Sequence, residues 1–263
     1  MKINGIKLSG VTPEELDVMF PHYPILIGYR GSIAHGMYIP NTDPNSVDDK
    51  DIMGVTLGPK DIYVGMKQFE QKETMLREWD VVTYEFRKYI RLLSKANPNV
   101  LSLLWLEPQH YIYKNEFGAA LLKDRGLFVS KQIYKSFTGY AYGQMKRMTA
   151  YSKEGYMGEK RKALVDKYGY DTKNAAHLIR LLRMGIEFLQ TGELEVLRSD
   201  NKQLLEIKRG EWTLEHVKTE AEHQFKRAEA AYDRSTLPTK IDQEAVNELC
   251  MDFLLEHLKN GEI

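Results

Sequence analysis

Two aspartates that stand one residue apart, Asp49 and Asp51, follow a Gly31-Ser32 pair that closes an apolar stretch. Alternate residues of a β-strand point to the same face, so this spacing on a strand aims both carboxylates at one place. Two carboxylates held that close repel each other unless a cation lies between them. Mg²⁺ suits that position, because it takes one or two carboxylates together with substrate phosphates.

The glycine-serine turn offers phosphates close backbone approach, N–H donors and a hydroxyl, and the two motifs together predict phosphoryl or nucleotidyl transfer. A third acid usually completes a two-metal site, and Asp80, at the start of the next apolar segment, can be placed beside the first two by an adjacent strand. Glu85 is a second candidate, expected on the following helix. Asp48 has the opposite strand parity and is expected to be a solvated loop acid. His35, after the turn, is either a substrate contact or a structural histidine.

The composition is that of an ordinary globular protein, with 263 residues of which 43% are hydrophobic and 28% are charged. We find no apolar run near the ~20 residues that a membrane helix needs, and no secretory signal at the N-terminus. Cys250 is the only cysteine, which excludes an intramolecular disulfide and a cysteine-based zinc site. A cytoplasmic location is the simplest interpretation.

Charge is distributed unevenly along a chain whose formal net charge is zero. Residues 131–180 carry 11 basic and 4 acidic side chains, a net charge of +7, and residues 181–263 carry 11 basic and 17 acidic ones, a net charge of −6. The basic segment also contains Tyr134, Tyr140, Tyr142, Tyr151, Tyr156, Tyr168 and Tyr170. Basic groups interleaved with aromatic rings are typical of an RNA-binding surface, the alternative being a solvated helical surface.

Strand and helix signals separate two regions of the chain. Residues 23–29, 51–57 and 79–84 are predicted as strands, rich in β-branched, aliphatic and aromatic side chains. From about residue 115 onward the apolar spacing is helical. We therefore predict a catalytic domain over residues 1–115 and a helical substrate- or nucleotide-binding domain over residues 116–263.

These motifs resemble the active-site signature of the DNA polymerase β-type nucleotidyltransferase superfamily, and in finer pattern its RNA-repair, RNA-ligase-associated family. The resemblance covers roughly residues 23–107 and is carried by Gly31–Gly36, Asp49–Val55, Asp80–Tyr89, Asn97-Pro98 and Leu103–Leu106. It implies an α+β fold, in which a polymerase-β-like core of a small mixed sheet with flanking helices is followed by a C-terminal helical domain. A nucleoside triphosphate would lie in the cleft between them.

The resemblance also implies roles for the motif residues. Ser32 would hold the β- and γ-phosphates with N–H groups near Gly31. Asp49 and Asp51 would bind two Mg²⁺ ions, or Mn²⁺, which oxygen ligands suit equally. Asp80 would bind the catalytic metal and favour deprotonation of the acceptor hydroxyl, which attacks the α-phosphorus as pyrophosphate leaves.

Pyrophosphate also needs a cation from the protein, and the predicted helix Thr172–Gln190 can supply it. Lys173, His177 and Arg180 fall at i, i+4 and i+7 and so share one face, with Asn174 beside them. This face is either a triphosphate clamp or a solvated helix surface.

The favoured interpretation is a metal-dependent nucleotidyltransferase that moves a nucleoside monophosphate from a nucleoside triphosphate to RNA, in tRNA or RNA end repair. A zero net charge does not require a nucleic-acid partner, so a protein or a small molecule, such as a toxin partner or an antibiotic, is the alternative acceptor. A catalytically silent nucleotide-binding module is a third interpretation. Three converging acids argue against it, because binding alone gains little from them.

Overall fold

The computed structural model describes residues 6, 8–40, 42–43, 46, 48–149 and 159–260. The chain forms two units, and it leaves the first unit and returns to it twice. The first unit comprises the described residues up to Ala34, Asp49–Val129 and the residues from Ile241 onward, and the second comprises His35–Asp48 and Ser130–Lys240. The chain thus leaves the first unit just after the glycine-serine turn and returns to it at Asp49. The boundary expected between residues 115 and 116 falls inside the first unit.

Elements are numbered along the chain. The strands of the first unit are β1 (Tyr23–Tyr29), β2 (Lys50–Leu57), β3 (Gln71–Leu76), β4 (Trp79–Glu85) and β5 (Tyr111–Lys114). Its helices are α1 (Pro13–Met19), α2 (Gly31–Ala34), α3 (Lys60–Tyr63), α4 (Phe86–Leu93), α5 (Pro98–Leu101), α6 (Glu116–Lys123) and α12 (Gln243–Asn260), with 3-10 turns at Ser102–Trp105, Pro108–His110 and Arg125–Phe128. The helices of the second unit are α7 (Gln132–Thr149), α8 (Glu159–Tyr168), α9 (Thr172–Thr191), α10 (Asn201–Lys208) and α11 (Leu214–Arg234).

The five strands form one mixed sheet in the order β3-β4-β2-β1-β5. β2 and β4 are parallel neighbours, whereas β1 is antiparallel to both β2 and β5, and β3 is antiparallel to β4. The central position of β2 explains its nearly continuous apolar sequence, because both of its faces are covered. This topology brings the start of β2, the start of β4 and the end of β1 to one edge of the sheet.

Helices cover the sheet through aromatic contacts. The ring of Phe86 at the start of α4 stacks on Phe253 of α12 with centroids 5.0 Å apart, and Phe117 of α6 lies 5.5 Å from the same ring. Such rings bury large apolar areas, so they contribute strongly to packing. The last helix of the chain therefore completes the core of the first unit.

The second unit is built around α9, which packs against α7, α10 and α11. Asp171 caps its N-terminus, accepting a hydrogen bond from the backbone N–H of Asn174, and Gly192 ends it with a φ of 73°. A helix that carries apolar residues on nearly all sides is a buried helix, and most of the residues of α9 are buried. Lys173 and His177 are half-buried, so their face of the helix is the part that keeps some contact with solvent.

The sequence predicted the main architecture. The α+β class, with a small mixed sheet and flanking helices, is confirmed, and β1, β2 and β4 lie where strands were expected. β3 and β5 were not predicted, because β3 is a mostly polar edge strand without a buried face and β5 is only four residues long. Within the described part of the chain, no helix is long and apolar enough to cross a membrane.

Candidate functional site

Asp51 and Asp80 lie side by side on the two parallel strands. Asp51 is the second residue of β2 and Asp80 the second residue of β4, and the strand register pairs them directly. Neighbouring strands are about 4.8 Å apart, so the two side chains start from adjacent points on the sheet. Both carboxylates remain accessible, with 22% and 34% of their side-chain surfaces exposed. This is the placement that the sequence pattern predicts for Asp80.

Arg30 lies against both acids. Its Nη2 atom is 3.1 Å from Oδ2 of Asp80 and 3.7 Å from Oδ1 of Asp51. Its backbone N–H donates to the backbone oxygen of Asp51 over 2.9 Å, which fixes the residue next to β2. The sequence interpretation missed this arginine. The available signal was its position between the end of β1 and the glycine-serine turn.

Gly31 and Ser32 follow directly and form the start of α2. Gly31 has a φ of 60°, and a Cβ atom there would collide with the carboxylate of Asp51, so only glycine fits. The hydroxyl oxygen of Ser32 is buried and has no hydrogen-bond partner among the described residues. A buried polar atom left without a partner is unusual, and an absent ligand is one explanation for it. The turn thus combines close backbone packing with an available hydroxyl.

Asp49 is placed differently from the other two acids. β2 begins at Lys50, so Asp49 lies one residue before the strand, in an exposed loop position. Asp49 thus precedes the strand on which the sequence pattern placed it together with Asp51. Among the described contacts, Arg30 pairs with Asp51 and Asp80 but not with Asp49.

A divalent cation fits the chemistry of this edge. The contact with Arg30 shows that Asp51 and Asp80 can direct oxygen atoms at one cation. Mg²⁺ needs only one or two carboxylates when substrate phosphates complete its shell, and Mn²⁺ accepts the same oxygen donors. No group of three or more His, Cys, Asp or Glu side chains suited to a metal occurs in the described residues. Asp51 and Asp80 are the two acids that the strand register brings together at this edge.

Asp48 belongs to a buried ion cluster of the second unit. Its carboxylate accepts hydrogen bonds from Nζ of Lys208 and from the backbone N–H of Ile39, the latter over 2.9 Å. Nζ of Lys173 lies 3.4 Å from its other oxygen, and Lys208 also donates to the carbonyl of Met37 over 2.8 Å. No part of the Asp48 side chain is exposed. The expectation of a solvated loop acid is therefore wrong.

Asn174 lies in the first turn of α9 and is buried. Its side-chain amide donates to Oδ2 of Asp171 over 2.9 Å, and its backbone N–H donates to Oδ1 over 2.9 Å. These bonds satisfy the start of the helix. Asn174, which the sequence analysis placed beside the expected triphosphate clamp, thus makes capping contacts at the start of α9.

Arg180 and His35 form a buried pair in the second unit. Nδ1 of His35 lies 2.8 Å from the carbonyl oxygen of Val196, which can only accept, so Nδ1 carries the proton and Nε2 accepts from Arg180. Burial lowers the pKa of His35 well below its usual value, and the charges of Arg180 and His177 lower it further. Burial also lowers the pKa of Arg180 to about 9. His35 is therefore a neutral structural partner of Arg180.

Glu85 lies outside the acidic edge. It ends β4, five residues after Asp80, which is about 16 Å along an extended strand. Its carboxylate accepts the backbone N–H of Lys88 over 3.1 Å and so caps α4. The buried Glu85 side chain is part of the support of the fold rather than of the site.

Tyrosines of the basic segment 131–180 have several environments. Tyr134 packs on a tyrosine ring of α11, with centroids 4.9 Å apart. The buried Tyr170 donates to a backbone carbonyl over 2.6 Å. Tyr151 and Tyr156 lie outside the described residues. At least two of the seven tyrosines are therefore packing residues.

One face of α7 presents two of the basic residues and one of the tyrosines of this segment. Lys135, Gly139, Tyr142 and Lys146 are all exposed and follow one another at spacings of four, three and four residues along the helix. Nζ of Lys146 lies 4.6 Å from the centroid of the Tyr142 ring. A Cβ atom added to Gly139 or Gly143 would meet nothing within 4 Å, so no packing inside the described chain requires these glycines.

Known proteins share this sequence pattern. The model of the family described as the RNA repair pathway DNA polymerase beta family matches residues 20–252. An uncharacterized protein of Methanocaldococcus jannaschii is 25% identical over 183 residues, which are 67% of this chain and 65% of that protein. The chain therefore spans slightly less than two thirds of that relative's length. A nucleotidyltransferase-like protein of Exiguobacterium sibiricum, known from a crystal structure, aligns over 92% of this chain and 76% of its own with a TM-score of 0.28 and 10% identity.

Proposed function

This chain belongs to the RNA repair pathway DNA polymerase beta family, and from that premise we propose that it transfers a nucleoside monophosphate from a nucleoside triphosphate to an acceptor hydroxyl. The observation that carries the proposal is the convergence of Asp51 and Asp80 on one cationic group beside the Gly31-Ser32 turn. Mg²⁺ is the proposed cofactor. The cytoplasm is the proposed location, in keeping with the single cysteine.

Each residue at the sheet edge has a proposed task. Asp51 and Asp80 hold the metal, and the exposed Asp49 joins them from the preceding loop. The free hydroxyl of Ser32 and the backbone at Gly31 bind phosphate oxygens. Mg²⁺, when bound, supplies positive charge that stabilises the charge of the transferring phosphoryl group.

The reaction exchanges a phosphoanhydride bond of the triphosphate for a phosphoester bond to the acceptor at the α-phosphorus. The acceptor oxygen forms a bond to that phosphorus, and the bond from the α-phosphorus to the bridging oxygen of the β-phosphate breaks. The pyrophosphate leaves with the bonding electrons. Asp80, which is the more exposed of the two paired acids, is the proposed group that favours loss of the hydroxyl proton.

The helix α9 contributes proposed phosphate contacts. Lys173 and His177 are half-buried and keep part of their surface available. Arg180 is buried against His35, and Asn174 is engaged at the helix cap. We therefore assign direct phosphate contacts to Lys173 and His177, and assign Arg180 and Asn174 to the support of that helix.

RNA is the proposed acceptor. Its phosphates complement Lys135 and Lys146, and the exposed ring of Tyr142 can stack on a base. No acidic residue occurs in α7, so nothing on that helix repels a polyanion. The open glycine face around Gly139 and Gly143 permits close approach of a backbone.

The test is pyrophosphate release from each ribonucleoside triphosphate with Mg²⁺, with and without total tRNA. We expect RNA-dependent release that is lost in Asp51→Asn and Asp80→Asn. The control Asp61→Asn removes an acid of α3 that pairs with Lys67, and it should retain release.

Four outcomes decide the proposal. Loss of release in both site variants but not in the control supports it. Release that is unchanged in the site variants overturns the assignment of the acids. Transfer of label to a protein or to a small molecule, with none to RNA, overturns the RNA acceptor alone. Nucleotide binding without release on any acceptor identifies a silent binding module.

A further inference from the structure

Arg30 is a positive charge that the two acids at the sheet edge share. Arg30 contacts Asp51 and Asp80 through one terminal nitrogen, at 3.7 and 3.1 Å. Its Nε atom is buried and has no hydrogen-bond partner among the described residues. The guanidinium is therefore incompletely satisfied where it lies, although such a group can donate five hydrogen bonds in a planar fork.

The carboxylates need a cation because like charges on adjacent strands repel each other. The guanidinium of Arg30 supplies such a charge beside both carboxylates. A divalent metal needs the same carboxylate oxygens. The guanidinium and the metal are then alternative partners of one pair of acids.

We propose that Arg30 is an internal cation that holds Asp51 and Asp80 together and competes with the divalent metal for their oxygen atoms. This inference rests on the proposed function, because it assigns the metal to these acids. The backbone bond between Arg30 and Asp51 keeps the guanidinium tethered beside the site when the side chain moves away.

The competition couples metal binding to nucleotide binding. A metal that displaces the guanidinium leaves it without its carboxylate partners, and a triphosphate offers it new acceptors. A nucleotide therefore raises the metal affinity of the protein by relieving the competition, and the metal raises the nucleotide affinity to the same degree. The free protein binds metal weakly, and the metal enters with the nucleotide.

The experiment measures Mn²⁺ binding by electron paramagnetic resonance, with and without a non-hydrolysable triphosphate analogue. The variants are Arg30→Gln, which removes the charge, and Arg30→Lys, which keeps it. The control is Arg91→Gln, because Arg91 pairs with Glu70 on the surface of the same unit. Circular dichroism melting confirms that each variant is folded.

We expect Arg30→Gln to bind Mn²⁺ about tenfold more tightly than the wild type without nucleotide, because a repelling charge a few ångströms away is removed. Arg30→Lys and Arg91→Gln should stay within about twofold of the wild type. The nucleotide analogue should strengthen Mn²⁺ binding in the wild type more than in Arg30→Gln.

Two results separate the two proposals. Mn²⁺ binding that is lost in Asp51→Asn but unchanged in Arg30→Gln overturns the competition and leaves the metal assignment intact. Mn²⁺ binding that is absent from every variant, or unaffected by Asp51→Asn, overturns both the competition and the metal assignment.

Discussion

Asp48 and Asp51 are three residues apart in the chain, yet their carboxylates have opposite environments. Asp48 has no exposed side-chain surface and is bound by Lys208, by a backbone N–H and, at 3.4 Å, by Lys173. Asp51 keeps 22% of its side chain exposed and shares Arg30 with Asp80. Asp48 is thus buried between two lysines, whereas Asp51 is partly exposed beside a cation that it shares with a second acid.

This difference separates structural from functional acids. A buried carboxylate persists only when partners satisfy it completely, and removal of one partner leaves an uncompensated charge. Two half-exposed carboxylates that share one cation can accept another cation at little cost to the fold. The comparison predicts that variants at Asp48 act on stability, whereas variants at Asp51 act on activity.

The largest expected effect is on catalysis. Asp51→Asn should lower kcat by about 10³-fold, because it removes a charged ligand from the reacting centre. Its melting temperature should change little, since the substitution also relieves repulsion with Asp80. Steady-state kinetics and calorimetry check this, with Asp61→Asn as the control. Normal turnover by this variant, or its unfolding, would contradict the prediction that Asp51 acts on activity and not on stability.

The next effect is on stability. Lys208→Met should lower the free energy of unfolding by about 3–5 kcal/mol, because it leaves Asp48 buried with one strong partner fewer. Lys50→Met, which breaks an exposed pair with Glu78, should cost less than about 1 kcal/mol. Urea titrations of both variants and the wild type measure these free energies of unfolding. Equal losses would show that burial of the Asp48 cluster has no energetic consequence.

Lys173 tests the difference between structural and functional residues, because it belongs to the Asp48 cluster but keeps 31% of its side chain exposed. Lys173→Ala should raise the apparent KM for the triphosphate about fivefold while costing less stability than Lys208→Met. The matched control is the exposed Lys202→Ala on α10. An unchanged KM together with a large loss of stability would return Lys173 to a purely structural role.

The smallest effect concerns pH. The pKa of His35 is lowered in the folded protein, so below its ordinary value of about 6.5 the unfolded chain binds a proton that the folded chain does not. Stability should therefore fall as pH decreases below about 6.5, by at most about 1.4 kcal/mol per unit from this group.

Thermal unfolding between pH 7.5 and 5.5 measures this slope. His35→Gln should flatten it, and the surface variant His216→Gln should leave it unchanged. If His35→Gln retained the full slope of the wild type, protonation of His35 would not be the cause of that slope. The buried pair with Arg180 would then not control how stability depends on pH.

Local sequence was sufficient for the elements that build the sheet edge. Apolar and β-branched runs predicted β1, β2 and β4, because burial on both faces requires such runs. The same reasoning placed Asp80 beside Asp51, since acids at the starts of parallel strands meet at one edge. β3 escaped prediction because an edge strand needs no apolar face.

The sequence by itself determined three of the five strands, β1, β2 and β4, the α+β class and the family. Only the tertiary structure decided which acids are buried and which cation meets them. Lys208 reaches Asp48 across 160 positions of the chain, and α12 completes the core of the first unit from the other end of the sequence. Periodicity encodes which face of an element is apolar, but it does not encode which distant segment covers that face. The partners of Asp48 and Asp51 were therefore fixed by packing between segments far apart in the chain.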